Sequence, residues 1–171
     1  EAHRSTKDLD LLGLKSASIP HLEAVFRRMA QMVVEDDGLI FLPDTVTAEA
    51  IRENDNYQGV RVNIEARLGN ARIPLQVDIG FGDAVTPKAG KIVFPTLLEF
   101  PAPKVAAYPK ETAIAEKFEI MVKLGMANSR MKDYYDLWTL CREFDFEGEV
   151  LSAAIRATFR RRRTALPADF P

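Results

Sequence analysis

Residues 60–68 alternate without a break: Val60, Val62, Ile64, Ala66 and Leu68 are apolar, while Arg61, Asn63, Glu65 and Arg67 are polar. A period of two is the signature of a half-buried strand, because a helix would scatter those apolar side chains around its axis. Gly69-Asn70 then reads as a hairpin turn, and residues 73–79 as the partner strand, closed by Gly80-Phe81-Gly82-Asp83. The chain is thereby committed to a sheet. Residues 20–36 predict a helix to cover one face of it. Pro20 holds the favoured first position, Leu22, Val25, Phe26, Met29, Met32 and Val33 recur at helical spacing, and Asp36-Asp37-Gly38 ends the run. Tandem strands with a helix on one face imply an α+β fold with a small mixed or antiparallel sheet.

The remaining segments fit around that frame. Residues 7–12 read as a short strand, residues 39–42 as another stopped by Pro43-Asp44, and residues 46–52 are ambiguous in propensity. Five prolines between Pro87 and Pro109 predict a largely extended loop. Beyond Pro109 the pattern is helical, with helices expected over 112–124, 131–144 and 148–162. In the first of these Ile114, Phe118, Met121 and Val122 face inward. The expected organisation is a sheet domain over 1–94, a Pro-rich linker over 95–108 and a helical region over 109–171. The chain begins at Glu1, close to its best motif, so part of the sheet domain is expected to lie upstream.

Composition narrows the function. A net charge of −2 over 171 residues gives no global pull toward nucleic acid or membrane. No apolar run is long enough to cross a bilayer. Cys141 is the single cysteine, which excludes an internal disulfide and fits a reducing cytoplasm. Lying among Leu137, Trp138, Leu140 and Phe144, it is expected to be a buried structural thiol. His3 and His21 have no partners at zinc-ligand spacing.

Four segments can carry chemistry. Asp8 and Asp10 stand one residue apart in an apolar run; on a strand both carboxylates point one way while Leu9 and Leu11 point into the core. Two hard oxygen ligands on a rigid element suit Mg²⁺, and an ordinary strand end or helix cap is the alternative. Asp78 interrupts the apolar series Leu75, Val77, Ile79 and shares its face with Gln76 and Gly80. It calls for a metal or a partner, such as Arg61 or Arg67 across the hairpin. If its strand lies beside that of Asp8 and Asp10, three carboxylates converge as in two-metal phosphoryl chemistry. Lys117 has Ala113, Ile114, Ile120 and Met121 as helical neighbours, so it either snorkels or reaches phosphate oxygens. Asp133 and Asp136 share a helix face, where they favour the helix dipole or pair with Lys117 or Arg130. Arg160-Arg161-Arg162-Arg163, with Arg156 before them, either solvate a helix end or form a local phosphate-binding patch.

In this order the segments resemble the AbiEii/AbiGii toxin family of nucleotidyltransferases, also called the MenT-type toxins. The residues 4–10 look like the end of that family's first motif, with Thr6 at the Ser/Thr position two before the first Asp. Residues 75–80 resemble its third-carboxylate strand, residues 115–117 its helix with an essential lysine, and residues 130–137 its Arg/Lys-Asp-x-x-Asp motif. The resemblance implies a polymerase β-like nucleotidyltransferase fold with a helical C-terminal part. It also implies Mg²⁺ as cofactor, an NTP as substrate and an antitoxin as partner, typically in phage-defence operons, with tRNA ends as acceptors of some members. It assigns Asp8, Asp10 and Asp78 to metal, adds Lys117 and Asp133 to the catalytic set, and gives Thr6, Lys117 and Asp136 to the nucleotide. The family's motif opens with a Gly-Gly or Gly-Ser turn whose amides cradle the triphosphate; it is expected before Glu1.

The expected function is thus Mg²⁺-dependent nucleotide transfer to RNA, such as tRNA, or to a protein hydroxyl. The arginines at 156 and 160–163 are candidates for the RNA contact. The other readings are a non-catalytic partner-binding module on the same fold, and a two-metal nuclease, which has no need of Lys117.

Overall fold

The computed structural model describes residues 8–15, 18–52, 58–96 and 99–168. The chain divides into two compact units, Glu1–Gly82 and Asp83–Pro171. The boundary expected at 94/95 falls inside the second unit.

The first unit is a four-stranded sheet with one helix. Its elements are β1 (Asp8–Gly13), α1 (Ile19–Ala30), β2 (Leu39–Arg52), β3 (Gln58–Leu68) and β4 (Ala71–Phe81). The strand order is β1-β4-β3-β2. β2, β3 and β4 form an antiparallel meander, and β1 pairs in parallel with β4, so the sheet is mixed. The alternation of β3 does what its period dictates. Val60, Val62 and Ile64, with Val77 and Ile79 of β4, form the buried core with Leu22 of α1 and Val46 of β2. Their polar neighbours are left on the opposite face.

Three local expectations are corrected. The helix ends at Ala30 rather than near 36. Met32-Val33-Val34 is partly β-branched, and Asp36 and Asp37 accept from the amides of Gly38 and Leu39, a local turn that competes with helix. Residues 39–52 form one strand, in which Pro43-Asp44 marks a register shift between Leu42 and Thr47 instead of a strand end. β2 is an edge strand, where a missing N–H is tolerated. Thr45 bridges the irregularity: its hydroxyl donates to the Leu42 carbonyl and accepts from the Glu65 amide. Finally, Leu9 and Leu11 are exposed rather than buried. α1 packs on β2 and β3, and β1 lies at the far edge of the sheet, beyond that cover.

The second unit contains β5 (Gly90–Val93), β6 (Lys104–Ala107), α2 (Lys110–Leu124), α3 (Met131–Glu143) and α4 (Gly148–Arg162). β5 and β6 pair antiparallel within the stretch expected to be loop. The φ that proline imposes suits extended backbone, and Pro95, Pro101 and Pro103 fall between the paired strands, where no ladder bond is lost. α2 packs on α4 through Ala115, Ala154, Ile155 and Phe159. No helix among the described residues is long and apolar enough to cross a membrane. Cys141 is exposed, contrary to expectation. α3 turns Asp133, Asp136, Leu137 and Leu140 inward at helical spacing, which leaves Tyr135, Trp138 and Cys141 outside.

Candidate active site

The parallel pairing of β1 with β4 sets Asp10 opposite Asp78 and Asp8 opposite Gln76. Period two then puts Asp8, Asp10, Gln76 and Asp78 on the face turned away from α1. One carboxylate oxygen from each of Asp8, Asp10 and Asp78 lies within 4.8 Å of the others. The trio expected to converge does so. It requires a parallel neighbour, which the crossover through α1, β2 and β3 provides.

This donor set fits a hard divalent cation. All three candidate ligands are carboxylate oxygens; Asp8 and Asp78 are half-buried and Asp10 is exposed. Asp8, Asp10 and Asp78 are the residues that would hold such an ion, and Mg²⁺ favours a few carboxylates together with substrate phosphates.

Asp78 also has a protein partner. Arg61 faces it across the β3–β4 ladder. Its Nε donates to Oδ1 at 2.8 Å and its Nη2 to Oδ2 at 2.7 Å, a two-pronged contact. Gln76 Nε2 lies 3.3 Å from both oxygens. The hydrogen bond to Asp78 holds the Arg61 guanidinium above its ordinary pKa despite the cost of burial, and the charges of Asp78, Glu49 and Asp8 reinforce it. Glu49 of β2 stands opposite Arg61 on the other side. A row therefore crosses the whole sheet in register: Asp10, Asp78, Arg61, Glu49.

The second unit gathers its own group. Lys117 of α2 donates to Asp136 Oδ2 at 2.8 Å and to Asp133 Oδ1 at 3.3 Å. Arg130 Nε donates to the other oxygen of Asp133 at 2.8 Å. Asp133, among the most buried residues of the unit, is thus held between two cations. α3 makes this possible because residues three apart share its inner face.

Sequence reasoning missed a third group. Glu119, 1% exposed, accepts from Arg162 Nη1 at 3.1 Å and from the Thr164 hydroxyl. Arg162 also lies 3.3 Å from Asp83 and 3.6 Å from Glu116. Burial works against its charge, yet Glu116, Asp83 and Glu119 outweigh that and hold it above its ordinary pKa. One member of the arginine run is therefore turned inward, while Arg160 and Arg163 are exposed. The signal was present: Thr112, Ala115 and Glu119 recur at helical spacing, and all three are buried. Thr6 lies outside the described residues.

A mixed four-stranded sheet carrying an acidic trio on the face turned away from α1, with a helical C-terminal region, is the α+β class expected from the sequence. The chain belongs to the AbiEii family: residues 1–171 match the family described as nucleotidyl transferase AbiEii toxin, type IV toxin–antitoxin system. No curated protein matches it. Among solved structures it is similar to JHP933 from Helicobacter pylori, with a TM-score of 0.51 and 13% identity. The match covers 92% of this chain and 63% of that one, so the chain spans less than two thirds of its structural relative. That likeness is one of fold.

Proposed function

We propose that the protein is a Mg²⁺-dependent nucleotidyltransferase that moves a nucleotide from an NTP to a hydroxyl of RNA, as the toxin partner of an antitoxin in the cytoplasm. The carrying observation is the convergence of Asp8, Asp10 and Asp78 on one sheet face. Bound there, Mg²⁺ would neutralise triphosphate charge and make the acceptor hydroxyl more acidic. The chain's own residues supply the rest. Asp8 and Asp10 fix ligand oxygens on a rigid strand, and Asp78 offers the lone pairs that Arg61 and Gln76 leave. Lys117, fixed in direction by Asp133 and Asp136, is the cation for the triphosphate. Arg156, Arg160, Arg161 and Arg163 are the candidates for RNA contact; Arg162 is withdrawn from that role by its carboxylate partners. The tRNA acceptor, the phage-defence setting and Thr6 at the nucleotide belong to the same proposal.

The test incubates the protein with Mg²⁺, each labelled NTP in turn, and total tRNA, beside the Asp10→Asn variant. Label passing to RNA with wild type alone is the expected result. Absence of transfer to any RNA or protein with all four NTPs overturns the reading.

A second reading is a partner-binding module on the same fold. The observation favouring it is that Asp78 and Lys117 are both ion-paired within the chain. Failure to bind Mn²⁺ or NTP, with intact folding, is the outcome that would select it.

A further inference from the structure

Arg61 has no part in the function proposed above, yet it makes a two-pronged contact with a member of the trio. Its fork occupies one lone pair on each oxygen of Asp78. Gln76 approaches the same two atoms. Asp78 can enter a metal's coordination sphere only by sharing those oxygens with the guanidinium or by releasing it. Three carboxylates this close repel one another, and the Arg61 guanidinium on Asp78 is a cation that offsets this in the protein alone. A divalent ion at the trio reverses the balance, because it repels the guanidinium that stabilised its ligands. Arg61 has somewhere to go. Glu49 faces it across the β2–β3 ladder, and its charge already acts on the guanidinium.

We propose that Arg61 is a positioning residue with two stations. It holds Asp78 while the trio is without metal, and it yields toward Glu49 when a divalent ion enters, so the ion must displace an internal cation. The consequence is weak metal binding by the protein alone, so that the ion is best recruited together with a triphosphate that brings its own negative charge. The inference rests on the metal-site reading.

The test is direct Mn²⁺ titration of the full chain, followed by the loss of the free-ion electron paramagnetic resonance signal. Arg61→Gln should bind roughly tenfold tighter than wild type, the scale of one unit charge acting on a divalent ion a few ångströms away in a solvent-accessible site. Arg61→Lys, which keeps the charge, should stay near wild type. Glu49→Gln should bind more weakly, and should have no effect in the Arg61→Gln background, since Glu49 acts through Arg61. Equal or weaker binding by Arg61→Gln overturns the proposal while leaving the metal site standing. If Arg61→Gln does not fold, Glu49→Gln carries the test, and unchanged affinity there overturns it. Absence of Mn²⁺ binding to wild type and variants alike overturns both the metal-site reading and this one.

Discussion

Lys117 Nζ lies 2.8 Å from Asp136 Oδ2 and 3.3 Å from Asp133 Oδ1, so a single lysine of α2 holds two carboxylates of α3. Asp133 is 2% exposed and cannot turn to water if that lysine is lost. Lys117→Met should therefore cost about 1–3 kcal/mol, the penalty for leaving a buried polar group short of a partner. Lys117→Arg should recover much of the stability. If the lysine also serves the triphosphate, the KM for NTP rises in Lys117→Arg while its melting temperature stays near wild type. Calorimetry and nucleotide titration separate the two roles.

The acidic trio predicts a ligand-linked melting temperature. A metal that binds only the folded protein stabilises it by about 2.7 kcal/mol at a concentration one hundred times its dissociation constant. Mn²⁺ or Mg²⁺ should raise the wild-type midpoint and leave that of Asp10→Asn nearly unmoved. Chelation should reverse the rise. An equal rise in both proteins would place the metal elsewhere.

Arg162 and its neighbours should part company under mutation. Arg162→Met strands Glu119, one of the most buried side chains in the chain. Removing one partner of a buried pair costs about 3–5 kcal/mol, enough to lower the denaturant midpoint severely. Arg160→Ala and Arg163→Ala, on exposed positions, should change stability by no more than about 0.5 kcal/mol. Any loss of RNA affinity belongs to the exposed pair, read at several salt concentrations.

Gly13 closes β1 directly against Phe81, its partner in the ladder. A Cβ there would overlap the Phe81 ring. Gly13→Ala should destabilise the protein by about 1–3 kcal/mol, the usual cost of overpacking. Pairing it with Phe81→Leu should recover part of the loss, which thermal unfolding of the double variant would reveal.

Glu65 supplies a pH signature. Its hydrogen bond from Arg72 holds the carboxyl below its ordinary value of 4.5, with further help from the charges of Arg72 and Arg67. A depressed folded-state pKa gives stability that is present above the unfolded value and lost as pH falls through the folded one. The stability gap between wild type and Glu65→Gln should therefore be greatest near neutrality and shrink below pH 4.5. The pair is exposed, so the gap is small at any pH.

Much of this protein was legible in one dimension. The alternation of residues 60–68 located β3, its hairpin located β4, and helical spacing located α2, α3 and α4 to within a few residues. Those assignments succeed because each depends on a local period and a local stop. Errors gathered where cover decides. Leu9, Leu11 and Cys141 sit in apolar runs, yet whether a side chain is buried depends on what packs over it. Nor does a Pro-rich stretch announce its own pairing, since β5 and β6 find each other although ten residues separate them in the chain.

The candidate site divides in the same way. Sequence alone determined which carboxylates were available and, through period two, that Asp8 and Asp10 share a face with each other and Asp78 with Gln76. Only the tertiary structure decided that β1 lies parallel beside β4, which sets Asp10 against Asp78. It also decided that Arg61, rather than Arg67, takes Asp78. Strand order and register are fixed by packing the apolar face on α1, a collective burial that no single segment encodes. The polar face inherits its arrangement from that choice.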